Sequence, residues 1–162
     1  MNAAQSAALR DVLTAQPIAA LGTLHDGRPA VSMAPYAALA DGSGLVVHVS
    51  ALASHTRDML SSPAVSLLIM APPLAGVMPQ ATARVAIEGT ATQCERSSEG
   101  YVAARGAYLE RFPQSAGFFD LGDFSLFVIR PTSARFVGGF AQAVTVSAES
   151  LAVVLAEISQ AP

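Results

Sequence analysis

Hydroxyl and basic side chains are concentrated in the segment LVVHVSALASHTRDMLSSP, from Leu45 to Pro63. A short Val-rich run typical of a strand leads into it, and a helical pattern follows. Five polar residues therefore lie at a strand end and beside a helix start: Ser50, Ser54, His55, Thr56 and Arg57. Backbone N–H groups and the helix dipole favour an anion there, which predicts a phosphate site. The structural alternative is that Ser54 or Thr56 only caps the helix and that Arg57 is a solvated charge.

The remaining polar residues carry weaker signals. His48 alternates with Val47 and Val49 in a strand, which predicts a partly buried, hydrogen-bonded imidazole on the opposite face. His25 lies in a turn and is expected to be exposed. No two histidines have a ligand spacing such as i, i+4, so no metal site is predicted. Because no nucleophile elbow, catalytic triad or P-loop is found, no catalytic residue is assigned, and an enzyme built on this chain would need a cofactor.

Composition limits the class of protein. The 162 residues are 52% hydrophobic and only 13% charged, which fits one domain with its own core. So few charges predict either an Ala-rich surface or an apolar face buried in a symmetric homodimer. The net charge of −3 argues against nucleic-acid binding. The single cysteine, Cys94, excludes an internal disulfide framework and a multi-cysteine metal site.

Targeting signals are not apparent. No apolar run is long enough to span a bilayer, so no membrane association is predicted. The opening residues MNAAQSAALRDVLTAQ lack a basic region followed by an apolar one. The expected location is therefore cytoplasmic.

Periodicity and turn signals predict a single domain over residues 1–162. It comprises an N-terminal helix within 1–16, a barrel over 17–140 and a C-terminal helix over 147–160. Six or seven strands are predicted: Ile18–Leu24, Arg28–Tyr36, Leu45–Ser50, Ala64–Met70, Thr82–Cys94, Phe124–Ile129 and Ala134–Val137. The first three are expected to pair as an antiparallel meander. Closing such a sheet removes its edges, so we expect a mainly β (α+β) fold with flanking helices, with either a split-barrel or a Greek-key topology.

Several of these stretches together resemble one known family. They are PIAALGTLHDGRPAVSMAPYA and GLVVHVSALASHTRDMLSSPAVSLLI, followed by ARVAIEG, DLGDFSLFVIRP and ARFVGGFAQA. Over about residues 17–140 the chain is similar to the FMN-binding split barrels typified by pyridoxamine 5′-phosphate oxidase. Within that family it is most similar to the haem-utilisation (HugZ-like) branch. The resemblance implies a six- to seven-stranded antiparallel split β-barrel.

The same resemblance implies a ligand site. Members of the family hold FMN at the interface of a homodimer. By position, Ser32, Met33 and Ala34 would lie along the flavin ring, and Val49 and Ser50 would add the end of a neighbouring strand. Ser54 and His55 fall where the typical oxidase has a basic pair on the FMN phosphate, beside Thr56 and Arg57. Arg84 falls where a polar side chain reaches the flavin.

The chain also departs from the family pattern. The typical oxidase has Arg at the position of Ser32 and Lys at that of Ala37, and its basic pair is replaced here by Ser54 and His55. It also ends in an Arg-containing segment that is missing here, so oxidation of pyridoxamine phosphate is not expected. The C-terminal His that ligates haem in the haem-utilisation branch is missing too.

Three hypotheses follow from the sequence. The first is an FMN-dependent oxidoreductase, a homodimer acting on an unknown small molecule. The second is a non-enzymatic haem, tetrapyrrole or flavin carrier. The third is a scaffold that has lost its ligand and binds a protein.

Overall fold

One eight-stranded antiparallel sheet dominates the computed structural model, which describes residues 1–159. Its strands are β1 (Ile18–His25), β2 (Arg28–Pro35), β3 (Ala37–Ala38), β4 (Leu45–Ser50), β5 (Ala64–Met70), β6 (Arg84–Gln93), β7 (Phe124–Val137) and β8 (Ala143–Ser147). The α-helices around the sheet are α1 (Ala3–Ala15), α2 (Ser54–Ser61), α3 (Glu99–Arg111) and α4 (Ala148–Ser159), and 3₁₀ turns span Pro79–Ala81 and Pro113–Asp120. This curled sheet confirms the predicted mainly β split barrel with flanking helices.

The order of the strands explains why the barrel is split. Along the sheet the order is β2-β1-β5-β6-β7-β4-β3, with β8 added on β7. β2 and β3 are the two edge strands of this sheet, at its opposite ends. Only one residue, Tyr36, joins them along the chain. β2 therefore approaches β4 without forming a ladder with it. We call this gap between β2 and β4 the split.

The predicted meander is correct for its first hairpin and wrong for its third strand. β1 and β2 pair along their whole length, and Asp26 and Gly27 form the turn at φ of 50° and 74°. β4, in contrast, pairs with β7, and its hairpin partner is the two-residue β3. Turn signals identify a local hairpin, but they carry no information on a partner strand some 80 residues away in the sequence.

The region around Pro131 also differs from the prediction. The two strands expected on either side of it form one continuous β7, because Pro131 lies opposite Gly89. The ladder slips between Glu88 and Gly89, so the residue without an N–H falls where pairing is already interrupted. The bulge therefore lies at Gly89, and a glycine inside a predicted strand is typical of such a bulge. A Cβ at Gly89 would lie 2.6 Å from the carbonyl oxygen of Arg130.

The ends of the chain follow the prediction closely. α1 has the expected bounds, and α4 begins after Ser147, whose hydroxyl accepts the N–H of Ser150. β8 was not predicted and carries the sheet past residue 140, the expected end of the barrel. Gln160, the last residue of the predicted C-terminal helix, lies outside the described residues. None of the described helices is long and apolar enough to cross a membrane.

Two apolar clusters lie on opposite faces of β4. Val47 and Val49 point into the barrel, whereas Val46 and His48 point toward α3 and the 3₁₀ turn that follows it. The His48 ring is 7% exposed and stacks on Phe119 with the ring centroids 4.0 Å apart. The face of His48 is as predicted, but no hydrogen bond to its ring is found within residues 1–159. Burial lowers the pKa of His48 to about 4, so this imidazole is neutral near pH 7.

Arg111, at the end of α3, ties α1 to the crossing from β2 to β3. Its guanidinium donates to the carbonyls of Leu13 at 3.0 Å, Thr14 at 3.3 Å and Gln16 at 2.7 Å, all at the end of α1. It also lies 4.6 Å from the ring of buried Tyr36, whose hydroxyl donates to the Leu13 carbonyl. A cation at a helix C-terminus satisfies carbonyls that have no partner within the helix.

Replacing Arg111 by Met should lower the free energy of unfolding by about 2–3 kcal/mol, because three carbonyls lose a charged donor while the apolar stem is kept. Urea denaturation measures this change. The matched control is Arg10→Met, which removes an exposed ion pair with Glu157 and should cost less than about 1 kcal/mol. Equal losses in both variants would contradict the role given to Arg111.

Candidate functional site

The split gathers most of the residues that the sequence analysis selected. Ser32 and Ala34 pair with Leu21 and Ala19 and face the inside of the barrel, whereas Met33 lies on the outer face. Ala37 pairs with Val46 in antiparallel register. β2 approaches β4 at this side of the barrel, and β4 leads through a short turn into α2.

Two hydroxyls of the predicted phosphate site are already engaged. The Ser50 Oγ donates to the Asp123 Oδ2 at 2.7 Å and accepts the N–H of Leu52 at 3.1 Å. The Thr56 Oγ1 is buried and donates to the Ser50 carbonyl at 2.7 Å. Both hydroxyls thus hold β4, α2 and the loop before β7 together. The Thr56 hydroxyl therefore has a structural role at the start of α2, as the alternative in the sequence analysis proposed, and it is not free to bind a ligand.

Other groups at the start of α2 remain available to a ligand. The N–H groups of Ser54 and His55 have no hydrogen-bond partner among the described residues, as is usual in the first turn of a helix. The Arg57 side chain is exposed and makes no ion pair within residues 1–159. His55 is half-buried, and burial lowers its pKa although nearby Asp58 opposes the effect. Its imidazole is therefore mainly neutral at pH 7.

This donor set fits a phosphate dianion poorly. A phosphate needs converging donors and positive charge. The cation here is Arg57, because His55 is neutral, and the carboxylate of Asp123 lies directly on Ser50. The position of the site stays a prediction, and the charge of these residues does not match the FMN phosphate that the family resemblance implies.

Arg84 lies apart from the other candidate residues. It pairs with Val137 at one end of β7, whereas Ser50 pairs with Phe124 at the other end. Its guanidinium donates to the carbonyls of Gln80 at 3.2 Å and Thr82 at 2.9 Å, and so holds the loop before β6. Within one chain, Arg84 does not join the group at the split.

Sequence reasoning missed a polar cluster beside this site. Asp58 is 4% exposed and accepts the hydroxyl of Thr23 at 2.8 Å, while its other oxygen lies 2.7 Å from His25 Nδ1. His25 was expected to be simply exposed; half of its side chain is exposed, yet it anchors α2 to the β1–β2 hairpin. The contact joins residues 33 positions apart. A charged residue on the buried side of a short amphipathic helix was the only available signal.

The outer face of the sheet beside the split is apolar and uncovered. Val31 is 78% exposed and Met33 is 56% exposed. Met33 lies in one row with Ala20 and Leu68, and Met70 continues the patch along β5. Exposed apolar groups in such a contiguous patch are typical of a protein interface or a ligand surface.

Comparison with known proteins settles the family. Residues 6–138 match the family described as pyridoxamine 5′-phosphate oxidase. The chain belongs to this family. The fold and the order of strands agree with that assignment, and the likeness to the haem-utilisation branch is confirmed by the relatives below.

The relatives are named for haem. The chloroplastic haem oxygenase HOZ of Arabidopsis thaliana is 37% identical over 144 residues, 87% of this chain and 42% of that protein. The haem oxygenase HutZ of Vibrio cholerae is 33% identical over 126 residues, 77% of this chain and 70% of that protein. The structure of a haem-binding protein from Mycobacterium smegmatis superposes with a TM-score of 0.81 at 30% identity, covering 94% of this chain and 62% of that one. The chain thus spans less than half of the chloroplastic relative.

The contact between His25 and Asp58 should be visible in the titration of His25. Its hydrogen bond to Asp58, followed by the charge of Asp58 and then that of Asp26, raises the pKa of His25 above 6.5. The contact with His25 also lowers the pKa of Asp58 below 3.8. Because the pKa of His25 is raised, the contact stabilises the fold fully below pH 6.5, and this stabilisation is lost as the pH rises through the raised pKa. Because the pKa of Asp58 is lowered, its contribution is present above pH 3.8 and is lost as the pH falls through the lowered pKa. The pair therefore holds α2 most firmly between these two values.

Replacing Asp58 by Asn should return the pKa of His25 toward 6.5, as followed by NMR of the imidazole protons. The matched control is Asp26→Asn, because Asp26 is almost fully exposed and lies 3.8 Å from His25 Nε2. That change should lower the pKa of His25 much less. An unchanged pKa of His25 in Asp58→Asn would show that the two side chains do not interact in solution.

Proposed function

We propose that this chain binds haem at the split and takes part in its oxidative breakdown. The observation that carries the proposal is the neutral, half-buried imidazole of His55, next to an apolar split, at the position where flavoproteins of the family hold cations. The names of the similar proteins support it, since two are haem oxygenases and one is a haem-binding protein. Haem would then be the substrate rather than a permanent cofactor.

Only His55 among the histidines is placed to meet the iron. His25 is held by Asp58, and His48 is stacked inside the aromatic cluster with Phe119. The His55 ring makes no hydrogen bond within residues 1–159, and a neutral imidazole is the form that binds a metal. We therefore assign His55 as the candidate iron ligand.

The surrounding side chains suit the rest of the molecule. Met33 is exposed on the outer face of β2 beside the split, so a flat apolar ring lying against that face would meet an apolar side chain, whereas Ala34 and Val49 are buried in the barrel core behind it. Arg57, two residues after His55 on α2, is an exposed cation that would attract a propionate. Bound haem supplies the iron chemistry, while the chain contributes an imidazole, apolar walls and a cation.

FMN-dependent oxidoreduction is the second candidate function. Its support is the family fold, together with the unpaired N–H groups of Ser54 and His55 next to Arg57. Ser32, which the resemblance sets beside the flavin ring, lies in the barrel-facing row of β2. Against FMN stand the engaged hydroxyls and the carboxylate of Asp123. Oxidation of pyridoxamine phosphate is not proposed, and a cytoplasmic location stays a prediction from the sequence.

We further propose that the protein is a homodimer whose ligand site lies at the interface. The uncovered apolar face formed by Val31, Met33, Leu68 and Met70 provides a surface that a second copy would cover. Because Arg84 lies far from the split of its own chain, it would reach a ligand only in the other subunit. The low charge content of the sequence agrees with such a buried face.

Haemin titration followed in the Soret region tests the first proposal. We expect saturable binding of one haem per chain, and we expect His55→Ala to shift the Soret band and weaken binding about 10- to 100-fold through loss of an iron ligand. The control is His25→Ala, which removes an imidazole that is held by Asp58 and should leave the Soret band unchanged. No haem binding by the wild-type chain, or equal loss in both variants, would contradict the proposal.

The dimer is tested by light scattering on the wild type and on Val31→Glu. A dimeric wild type is expected, and the variant should dissociate because a charge would be buried in the interface. Val102→Glu serves as the control, since Val102 is 70% exposed on α3, away from the apolar face. A monomeric wild type at working concentration would contradict the homodimer.

A further inference from the structure

Asp123 lies beside the segment that joins the end of β4 to the start of α2. It lies in the loop before β7, and its carbonyl accepts the N–H of Ala51 at 2.7 Å. Its Oδ2 accepts the hydroxyl of Ser50 at 2.7 Å. The loop is therefore fixed at the end of β4 by two hydrogen bonds, one from the backbone and one from a side chain.

These bonds direct donors toward Asp123 and away from a ligand. The N–H of Leu52 donates to the Ser50 Oγ, which donates in turn to the carboxylate. Ser50 consequently has no proton left for an anion that approaches α2. The carboxylate of Asp123 therefore lies against Ser50, whose carbonyl accepts the hydroxyl of Thr56 in the first turn of α2.

We propose that Asp123 determines which ligands the split accepts, by repelling phosphate-bearing flavins from the start of α2. The inference deepens the proposed function, on which it rests, because it explains how a flavin-family barrel favours haem. The propionates of haem are flexible side chains, so they would not need to lie at the start of α2 beside Asp123. A flavin phosphate on the family's binding path has no such freedom.

FMN and riboflavin differ only in the phosphate group, so comparing their affinities measures the contribution of the phosphate to binding. Asp123→Asn keeps an acceptor for Ser50 and removes the charge, and flavin fluorescence quenching measures both affinities. We expect FMN affinity to rise about tenfold, the size of one unit-charge repulsion at several ångströms in a wet site, with riboflavin affinity changed less than about twofold. The matched control is Asp120→Asn, an exposed acid three residues away with no hydrogen bond to Ser50, which should leave both affinities unchanged.

A second measurement uses the wild-type chain and does not depend on the folding of a variant. If Asp123 repels the phosphate, added salt should strengthen FMN binding by screening the repulsion. Weaker FMN binding in salt would overturn the proposal, because it would show net attraction. Equal gains for FMN and riboflavin in Asp123→Asn, or no gain for FMN, would overturn it as well.

The outcomes separate this inference from the proposed function. A wild-type chain that fails to bind haemin contradicts the proposed function, yet a rise confined to FMN in Asp123→Asn would still support the role of Asp123. Conversely, tight haem binding together with an unchanged FMN affinity in that variant would reject the role of Asp123 alone.

Discussion

The passage of the chain from β2 to β3 through the single residue Tyr36 determines where the barrel stays open. Because β3 is hydrogen-bonded to β4, the end of β2 is carried to the far edge of the sheet without pairing there. Arg111 and the hydroxyl of Tyr36 fix this crossing to the end of α1 through the carbonyls of Leu13, Thr14 and Gln16. The split follows from this one constraint.

The contacts around the split make it nearly neutral. Ser50 and Thr56 use their hydroxyls to join β4 to α2, and Asp58 uses both oxygens to bind α2 to the first hairpin. Burial keeps His55 uncharged. A site built in this way lacks the concentration of cations that a phosphate dianion requires, and it offers an imidazole in the form that ligates a metal. On the proposed function, this charge balance favours haem over FMN more than the fold does.

Local features of the fold could be predicted from the sequence because each depends on neighbouring residues. The turn at Asp26 and Gly27, the bulge at Gly89 and the bounds of α1 all follow from local preferences. The pairing of β4 with β7 and the addition of β8 could not be predicted, because strand periodicity identifies a buried face but not its partner. The predicted fold class is nevertheless correct, because several different pairings of these strands would close into a small barrel.

The contacts of the candidate residues could not be predicted from the sequence. The resemblance selected residues on β2, at the end of β4 and at the start of α2, together with Arg84, which lies at the other end of β7. It could not show that Ser50 binds Asp123, 73 residues later, or that Asp58 binds His25, since side chains this far apart leave no spacing signal. Those two contacts decide the charge of the site, and they come only from the folded chain.

We propose that this barrel, a member of the pyridoxamine 5′-phosphate oxidase family, holds haem. The most direct measurement is the visible absorption spectrum of the protein purified from cells supplied with both riboflavin and a haem precursor. The account predicts a Soret band without flavin bands, and haem recovered after denaturation. A spectrum of bound flavin, released on denaturation as FMN, would contradict it.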